Sequence, residues 1–408
     1  MRSFFIKKRI AAIACICMLL LFAGLNLKTT LPQIRQQAAA ALASSGDAGG
    51  GFSALVAEVE ATISDQVYQK YAFIEAYGYL QKLLGKDEVN NFEVVKAKDG
   101  SLNYTYFTSG PNDVATLVAR MERLKAAAEE TGSKVQYVMT PDKYIVGETE
   151  YRTGIPYNYA NETADNFLSA LALAGVDTLD FRQLMQEAGV YKTDSFFKTD
   201  HHWKIETAFW AYTQFVDALD RQYDFDFPDS AYYTDLENYN QITYPDSYIG
   251  SMGRKEGILY SGVEDFTFIY PKFDTDFSFY AQGSDNDISV RGRFEEALCF
   301  MSMLTGEDPY DATTDKYFTY MFGNPGFVEI TNYDQPDGAR VLFIKDSLMV
   351  PLVSFFSLGC SKVYLIDPRY YYGNIEDVIR DYAFDYVFVS FSPQNLTEEF
   401  FPFYEDAA

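Results

Sequence analysis

Strand-length hydrophobic runs alternate with helical stretches in two separate blocks of this chain, and that rhythm restricts the fold more than any other feature. In the first block, Val114–Glu130 reads as a helix broken at Gly132-Ser133, and Lys134–Met139 as a strand entering the loop Thr140-Pro141-Asp142-Lys143. Asn166–Ala174 reads as a helix, Val176–Asp180 as a short strand, Phe181–Glu187 as a helix, and Asn103–Ser109 as a strand ahead of them all. In the second block, Arg340–Ile344 reads as a buried strand, Leu348–Leu358 as a helix stopped by Gly359, and Lys362–Ile366 as a strand. Asn374–Asp381 reads as a helix, and Asp385–Ser390 as a final strand entering Ser392-Pro393-Gln394-Asn395. Such alternation predicts α/β layering around a mostly parallel sheet. Between the blocks, Tyr223–Asp334 is rich in Tyr, Phe, Asp and Gly, with β-like runs such as Phe266–Tyr270. It reads as a partly β insertion that either covers a site or decorates the fold.

The chain begins differently. Residues 1–30 carry Arg2, Lys7, Lys8, Arg9 and Lys28 and no acid, and Ile10–Leu25 is almost wholly apolar. This is the pattern of a signal sequence or signal anchor, and the reading favoured is an uncleaved anchor with the body outside the cytoplasm. Gln33–Gly51 is rich in Ala, Gln, Ser and Gly and reads as a tether, and the spacing of Leu55, Val59, Ile63, Val67, Tyr71 and Ile74 predicts a helix. Of the net charge of −25, the first 30 residues contribute +5, which leaves 28 basic against 58 acidic side chains in the rest. A body of that charge repels a phosphate backbone, so nucleic acid is not an expected partner. Cys299 and Cys360 stand apart from the apolar segment and could form one disulfide, although their spacing cannot show that they meet.

Thr199-Asp200-His201-His202-Trp203-Lys204 holds the only two histidines of the chain, just before a helical stretch at Lys204–Leu219. Imidazole chemistry here must therefore use His201 or His202. Ser347, in Val341-Leu342-Phe343-Ile344-Lys345-Asp346-Ser347-Leu348, follows a hydrophobic strand and precedes a helix, which is where an open α/β sheet places its ligands. Asp200 could orient His202, and His202 could deprotonate Ser347. The competing reading is local: Asp346 or Ser347 caps one helix and Asp200 another. No metal or organic cofactor is needed for this chemistry. Two adjacent histidines point in diverging directions and no third exists, which argues against a metal site.

Asp200-His201-His202-Trp203 resembles the signature of the DHHW protein family, which is similar to the alginate O-acetylation proteins of the SGNH (GDSL-like) superfamily. Lys345-Asp346-Ser347-Leu348 resembles the Gly-Asp-Ser-Leu block of that superfamily, and it follows the histidine motif, a permuted order that those relatives share. Asp367-Pro368-Arg369-Tyr370-Tyr371 is similar to the family as well. The resemblance implies a three-layer α/β/α fold and a triad of Ser347 as nucleophile, His202 as base and Asp200 as its orienting carboxylate. His201 and Asp346 would support them. Lys345 replaces the usual glycine and could assist an oxyanion. Asn395 is a candidate oxyanion donor, with an ordinary turn residue as its competing reading.

The expected layout is a cytoplasmic stub and anchor at 1–30, a linker at 31–51, a stalk or N-terminal helix at 52–89, and an SGNH-like domain at 90–222 and 335–408. The aromatic-rich insertion occupies 223–334. The implied activity is O-acetyl transfer to, or acetyl hydrolysis from, a cell-surface polysaccharide, with a membrane-bound O-acyltransferase as acetyl donor by analogy. The alternative is a glycan-binding or envelope assembly protein that keeps the fold without catalysis.

Overall fold

A computed structural model describes residues 2–44, 68–89, 92–283, 287–305, 308 and 310–404. They divide into two compact units, Met1–Leu80 and Gln81–Ala408. In the first, helix α1 (Arg2–Ser44) contains a 25-residue stretch, Lys8–Pro32, long and apolar enough to cross a membrane. The expected tether is thus helical up to Ser44, because its Ala and Gln residues are good helix formers. Helix α2 (Lys70–Leu83) carries part of the helix expected in the 52–89 segment; residues 52–67 of that reading, and 45–51 of the tether, lie outside the described residues.

In the second unit, strands β1 (Glu88–Val89), β2 (Val94–Lys96) and β3 (Leu102–Tyr104) form a small antiparallel sheet. The strand expected at Asn103–Ser109 is therefore shorter than predicted and pairs here, not in the main sheet. Next come α3 (Ala115–Glu130), β4 (Lys134–Met139), α4 (Ala160–Leu173), β5 (Asp177–Asp180), α5 (Phe181–Glu187) and α6 (Ile205–Tyr223). The insertion supplies a two-stranded ribbon of β6 (Tyr239–Tyr248) and β7 (Glu264–Pro271), then β8 (Phe277–Ala281), β9 (Ile288–Gly292) and β10 (Phe327–Asn332). The second block gives β11 (Ala339–Lys345), α7 (Met349–Phe356), β12 (Cys360–Ile366), α8 (Ile375–Tyr382) and β13 (Tyr386–Ser390).

The main sheet has eight strands in the order β5-β4-β13-β11-β12-β10-β8-β9. The first five run parallel, and β10, β8 and β9 add on antiparallel. The insertion is thus no mere decoration; three of its strands extend the sheet. Alternation along β11 divides the core between two faces. Val341 and Phe343 pack with Phe215, Phe355 and Phe356 from α6 and α7, whereas Leu342 and Ile344 pack with Met121, Phe167 and Ile379 from α3, α4 and α8. This is the expected three-layer α/β/α architecture. Each such buried side chain contributes roughly 1.5–3 kcal/mol. All eight residues of α7 are buried, and its Pro351 lies in the first turn, where a missing N–H costs nothing. Cys299 and Cys360 are both free and buried, so the disulfide raised as an option is not formed.

Candidate active site

Four neighbouring parallel strands, β4, β13, β11 and β12, end at the same edge of the sheet, and their carboxyl-end loops make one cluster. After β11, the Asp346 carboxylate accepts from the backbone N–H of Leu348 (3.1 Å) and, from the β13 loop, from Ser392 N (2.7 Å) and Asn395 Nδ2 (2.9 Å). These bonds fix the turn that carries Ser347. Gln394 in turn reaches both oxygens of Asp142 in the β4 loop, at 3.3 Å each. Asp367 after β12 takes the Arg369 guanidinium at 2.9 and 2.7 Å.

The histidine stretch crosses this cluster as a tight turn. Phe196 and Trp203 bridge antiparallel, and Phe197 N donates to His202 O. Trp203 Nε1 donates to Leu348 O at 3.0 Å, tying the turn to the start of α7. Three predicted residues then fall in line. His202 Nε2 lies 2.7 Å from Ser347 Oγ, and His202 Nδ1 lies 3.1 Å from Asp200 Oδ1. Asp200, His202 and Ser347 keep only 1%, 8% and 9% of their surface in contact with solvent.

The two histidines do not diverge as expected: His201 lies beside His202, its Nδ1 2.9 Å from Asp200 Oδ1 and its ring centroid 3.8 Å from that of His202, and Asp200, His201 and His202 bring side-chain N and O atoms within 4.8 Å of one another. Lys345 is not at Ser347's open side; its ammonium is buried, 2.8 Å from Asn324 Oδ1 and 3.7 Å from Asp367 Oδ2. Asn395 spends one amide hydrogen on Asp346 and keeps the other, and it lines the same cavity, about 120 Å³, as Ser347. Arg369, Asp142 and Lys143 also line that cavity.

The insertion holds the carboxylate. Tyr248 OH donates to Asp200 Oδ2 at 2.5 Å, Ser251 Oγ donates to Oδ1 at 2.9 Å, and Lys143 Nζ donates to the Asp200 carbonyl at 2.7 Å. Gly250 is required for this contact, since a Cβ there would lie 2.2 Å from Asp200 Cβ. Tyr317 stacks on the His202 ring with centroids 3.8 Å apart. Sequence reasoning missed Tyr248, Ser251, Tyr317 and Lys143. The one available signal was Gly250-Ser251-Met252-Gly253, a glycine pair of the kind that permits close backbone approach.

The charges follow from these contacts. Burial, reinforced by His201 and partly opposed by Asp200, holds His202 below its ordinary value of 6.5, so its neutral form prevails at neutral pH. Burial pushes the Asp200 carboxyl up, but the two histidines outweigh it and hold Asp200 well below the usual carboxylate range. In the cavity wall, burial raises Asp142 to about 6 and lowers Lys143 to about 7.

The SGNH hydrolase-like domain of acetyltransferase AlgX matches residues 95–240 of this chain, and the DHHW protein family matches residues 181–366. No curated protein matches the chain. Among solved structures, PatB1 of Bacillus cereus with a sulfonyl adduct superposes with a TM-score of 0.62 at 18% identity, over 76% of this chain and 98% of that one. A DHHW family protein from Eubacterium siraeum gives a TM-score of 0.55 at 18% identity, over 76% of this chain and 94% of that one. At such identities the structures speak for the fold alone. Through the two matched families, that fold and its motif order, the chain is similar to the DHHW proteins and to the SGNH hydrolase-like domain of AlgX.

Proposed function

We propose that this chain is a membrane-anchored, extracytoplasmic acyltransferase or esterase that moves acetyl groups on a cell-surface polysaccharide through an acyl-Ser347 intermediate. The observation that carries the reading is the unbroken series Ser347 Oγ, His202 Nε2, His202 Nδ1, Asp200 Oδ1, with steps of 2.7 and 3.1 Å across the ring, at the carboxyl end of a parallel sheet. The match to the AlgX acetyltransferase domain supports acetyl as the group transferred. The apolar stretch Lys8–Pro32, preceded by basic residues, supports the anchor and its orientation.

In this mechanism Ser347 Oγ bonds to the acetyl carbonyl carbon as its proton passes to His202 Nε2. Asp200 holds the Nδ1–H tautomer and stabilises the imidazolium. The remaining N–H of Asn395 serves the oxyanion. Collapse breaks the bond to the donor oxygen, which takes the proton from His202 and leaves acetyl-Ser347. A sugar hydroxyl, or water, then attacks the acetyl carbon while His202 takes its proton; the bond from that carbon to Ser347 Oγ breaks, and Oγ recovers the proton from His202. A membrane-bound O-acyltransferase would supply the donor.

The test is acetate release from a chromogenic ester by the full chain in detergent. Ser347→Ala is expected to lose at least about 1,000-fold in rate. Equal rates in both proteins, or no Ser347-dependent rate at all, would overturn the reading.

A further inference from the structure

A larger cavity, about 800 Å³, adjoins the catalytic cluster. Tyr370 in its wall directly follows Arg369 in the wall of the Ser347 cavity. Phe318 and Asn324 line both this groove and the small recess at His202. Six aromatic residues face it: Phe318, Phe322, Phe327, Tyr370, Tyr371 and Tyr372. They do not form an ordinary core, for Phe318, Tyr370 and Tyr372 are 39%, 53% and 94% exposed. The walls are built closely. A Cβ on Gly323 would meet the Phe318 ring at 2.0 Å, and one on Gly326 would meet Tyr370 O at 2.3 Å.

The polar groups of the groove are amides and phenols. Among the described residues that line it, none is charged, in a chain of net charge −25. The two cations beside it are committed elsewhere. Arg369 is paired twice with Asp367, and Lys345 lies between Asn324 and that same Asp367. The neighbouring acid, Asp287, accepts from Tyr280 OH at 2.7 Å and Gly283 N at 3.3 Å. A polyanion would meet aromatic faces here, on a chain of net charge −25, with no free cation in the described lining to offset its charge. An uncharged sugar ring offers apolar C–H faces to the aromatics and hydroxyls to Gln282, Asn324 and the tyrosines, which is the match this lining makes.

Resting on the acyl-transfer reading above, we infer that this groove binds uncharged sugar residues of the acceptor polysaccharide, next to the residue that is acylated at Ser347. The groove therefore selects a neutral glycan over a uronic acid polymer.

The test is calorimetric titration of the full chain in detergent with xylohexaose, cellohexaose, mannohexaose and chitopentaose, against hexagalacturonate at fixed ionic strength. Binding of a neutral oligosaccharide and none of hexagalacturonate is expected. Tyr370→Ala and Tyr372→Ala should each weaken that binding about ten-fold. Tyr372 is almost fully exposed, so its replacement reads the groove even if Tyr370→Ala destabilises the fold. Tighter binding of hexagalacturonate, no neutral ligand in the series, or unchanged affinity in Tyr372→Ala would overturn the inference. Ester hydrolysis separates the two claims. Ser347-dependent hydrolysis without glycan binding would sink the groove alone, and glycan binding without it would sink the catalytic reading.

Discussion

The two halves of the main sheet contribute differently to the same site. The five parallel strands bring four carboxyl-end loops together and set Ser347 on the turn after β11, with Asp346 bonded to the loop after β13. The antiparallel half belongs to the insertion, whose remaining segments supply Tyr248, Ser251 and Tyr317 around Asp200 and His202. Sheet topology places Ser347, and the loops after β11 and β13 supply the donors that its neighbour Asp346 needs. Asp200 needs more, because a buried carboxylate must find donors for each oxygen to offset desolvation, and those of its Oδ2, Tyr248 OH and Ser251 N, come from the insertion.

That contrast can be broken or sharpened in four ways. Asp200→Asn should cost the most, about 10³–10⁴-fold in ester hydrolysis, because the amide no longer holds the tautomer in which His202 Nε2 accepts the serine proton. A loss under ten-fold would mean that Tyr317 and the turn suffice to orient His202. Gly250→Ala tests the insertion directly. The new methyl would overlap Asp200 Cβ, and we expect about 1–3 kcal/mol of destabilisation in urea melts with at least about 100-fold lower activity. Wild-type behaviour would show that the 250–253 segment yields easily. Tyr248→Phe removes one hydrogen bond to the carboxylate and should cost about 1–3 kcal/mol, read as roughly 10–100-fold in kcat/KM.

The smallest effect is one of pH. His202 accepts a proton only when neutral, and burial holds it below 6.5. The rate constant kcat/KM should therefore rise with pH and level off with a midpoint under 6.5. Asp142, raised to about 6, titrates nearby, so Asp142→Asn should leave that limb in place. If the limb vanishes, Asp142 and not His202 sets it.

Much of this was legible in the chain. The strand of Lys134–Met139 and the helix of Phe181–Glu187 have the predicted bounds, because a strand buried on both faces shows as a short, largely apolar run after Gly132-Ser133, and Phe181, Leu184 and Met185 recur at helical spacing. The pair of His202 and Ser347, 145 residues apart, followed from a family resemblance and from the position of Ser347 after a strand, and the structure brings them to hydrogen-bond distance. Tyr248 was not legible. It is one of 33 tyrosines, and nothing local distinguishes a phenol that serves a carboxylate from one that fills a core. Lys345 misled for a related reason: its neighbours in sequence are Asp346 and Ser347, but its ammonium turns to Asn324 and Asp367, which other segments supply. Of the insertion's strands, the run Phe266–Tyr270 was legible and lies within β7, whereas β8 and β10 were hidden, because β10 pairs with β8 and with β12 across long separations in sequence.

β13, residues Tyr386–Ser390, is late in the chain but central in the sheet, between β4 and β11. Ser390 donates to Val138 O on one side, and Asp346 N donates to Ser390 O on the other. Until that strand arrives, β4 and β11 have no common neighbour and the loop with Ser347 lacks its anchor. A chain interrupted ahead of Tyr386 would therefore hold both histidines and the serine, yet lack Ser392 and Asn395, the donors that fix Asp346 and the turn of Ser347.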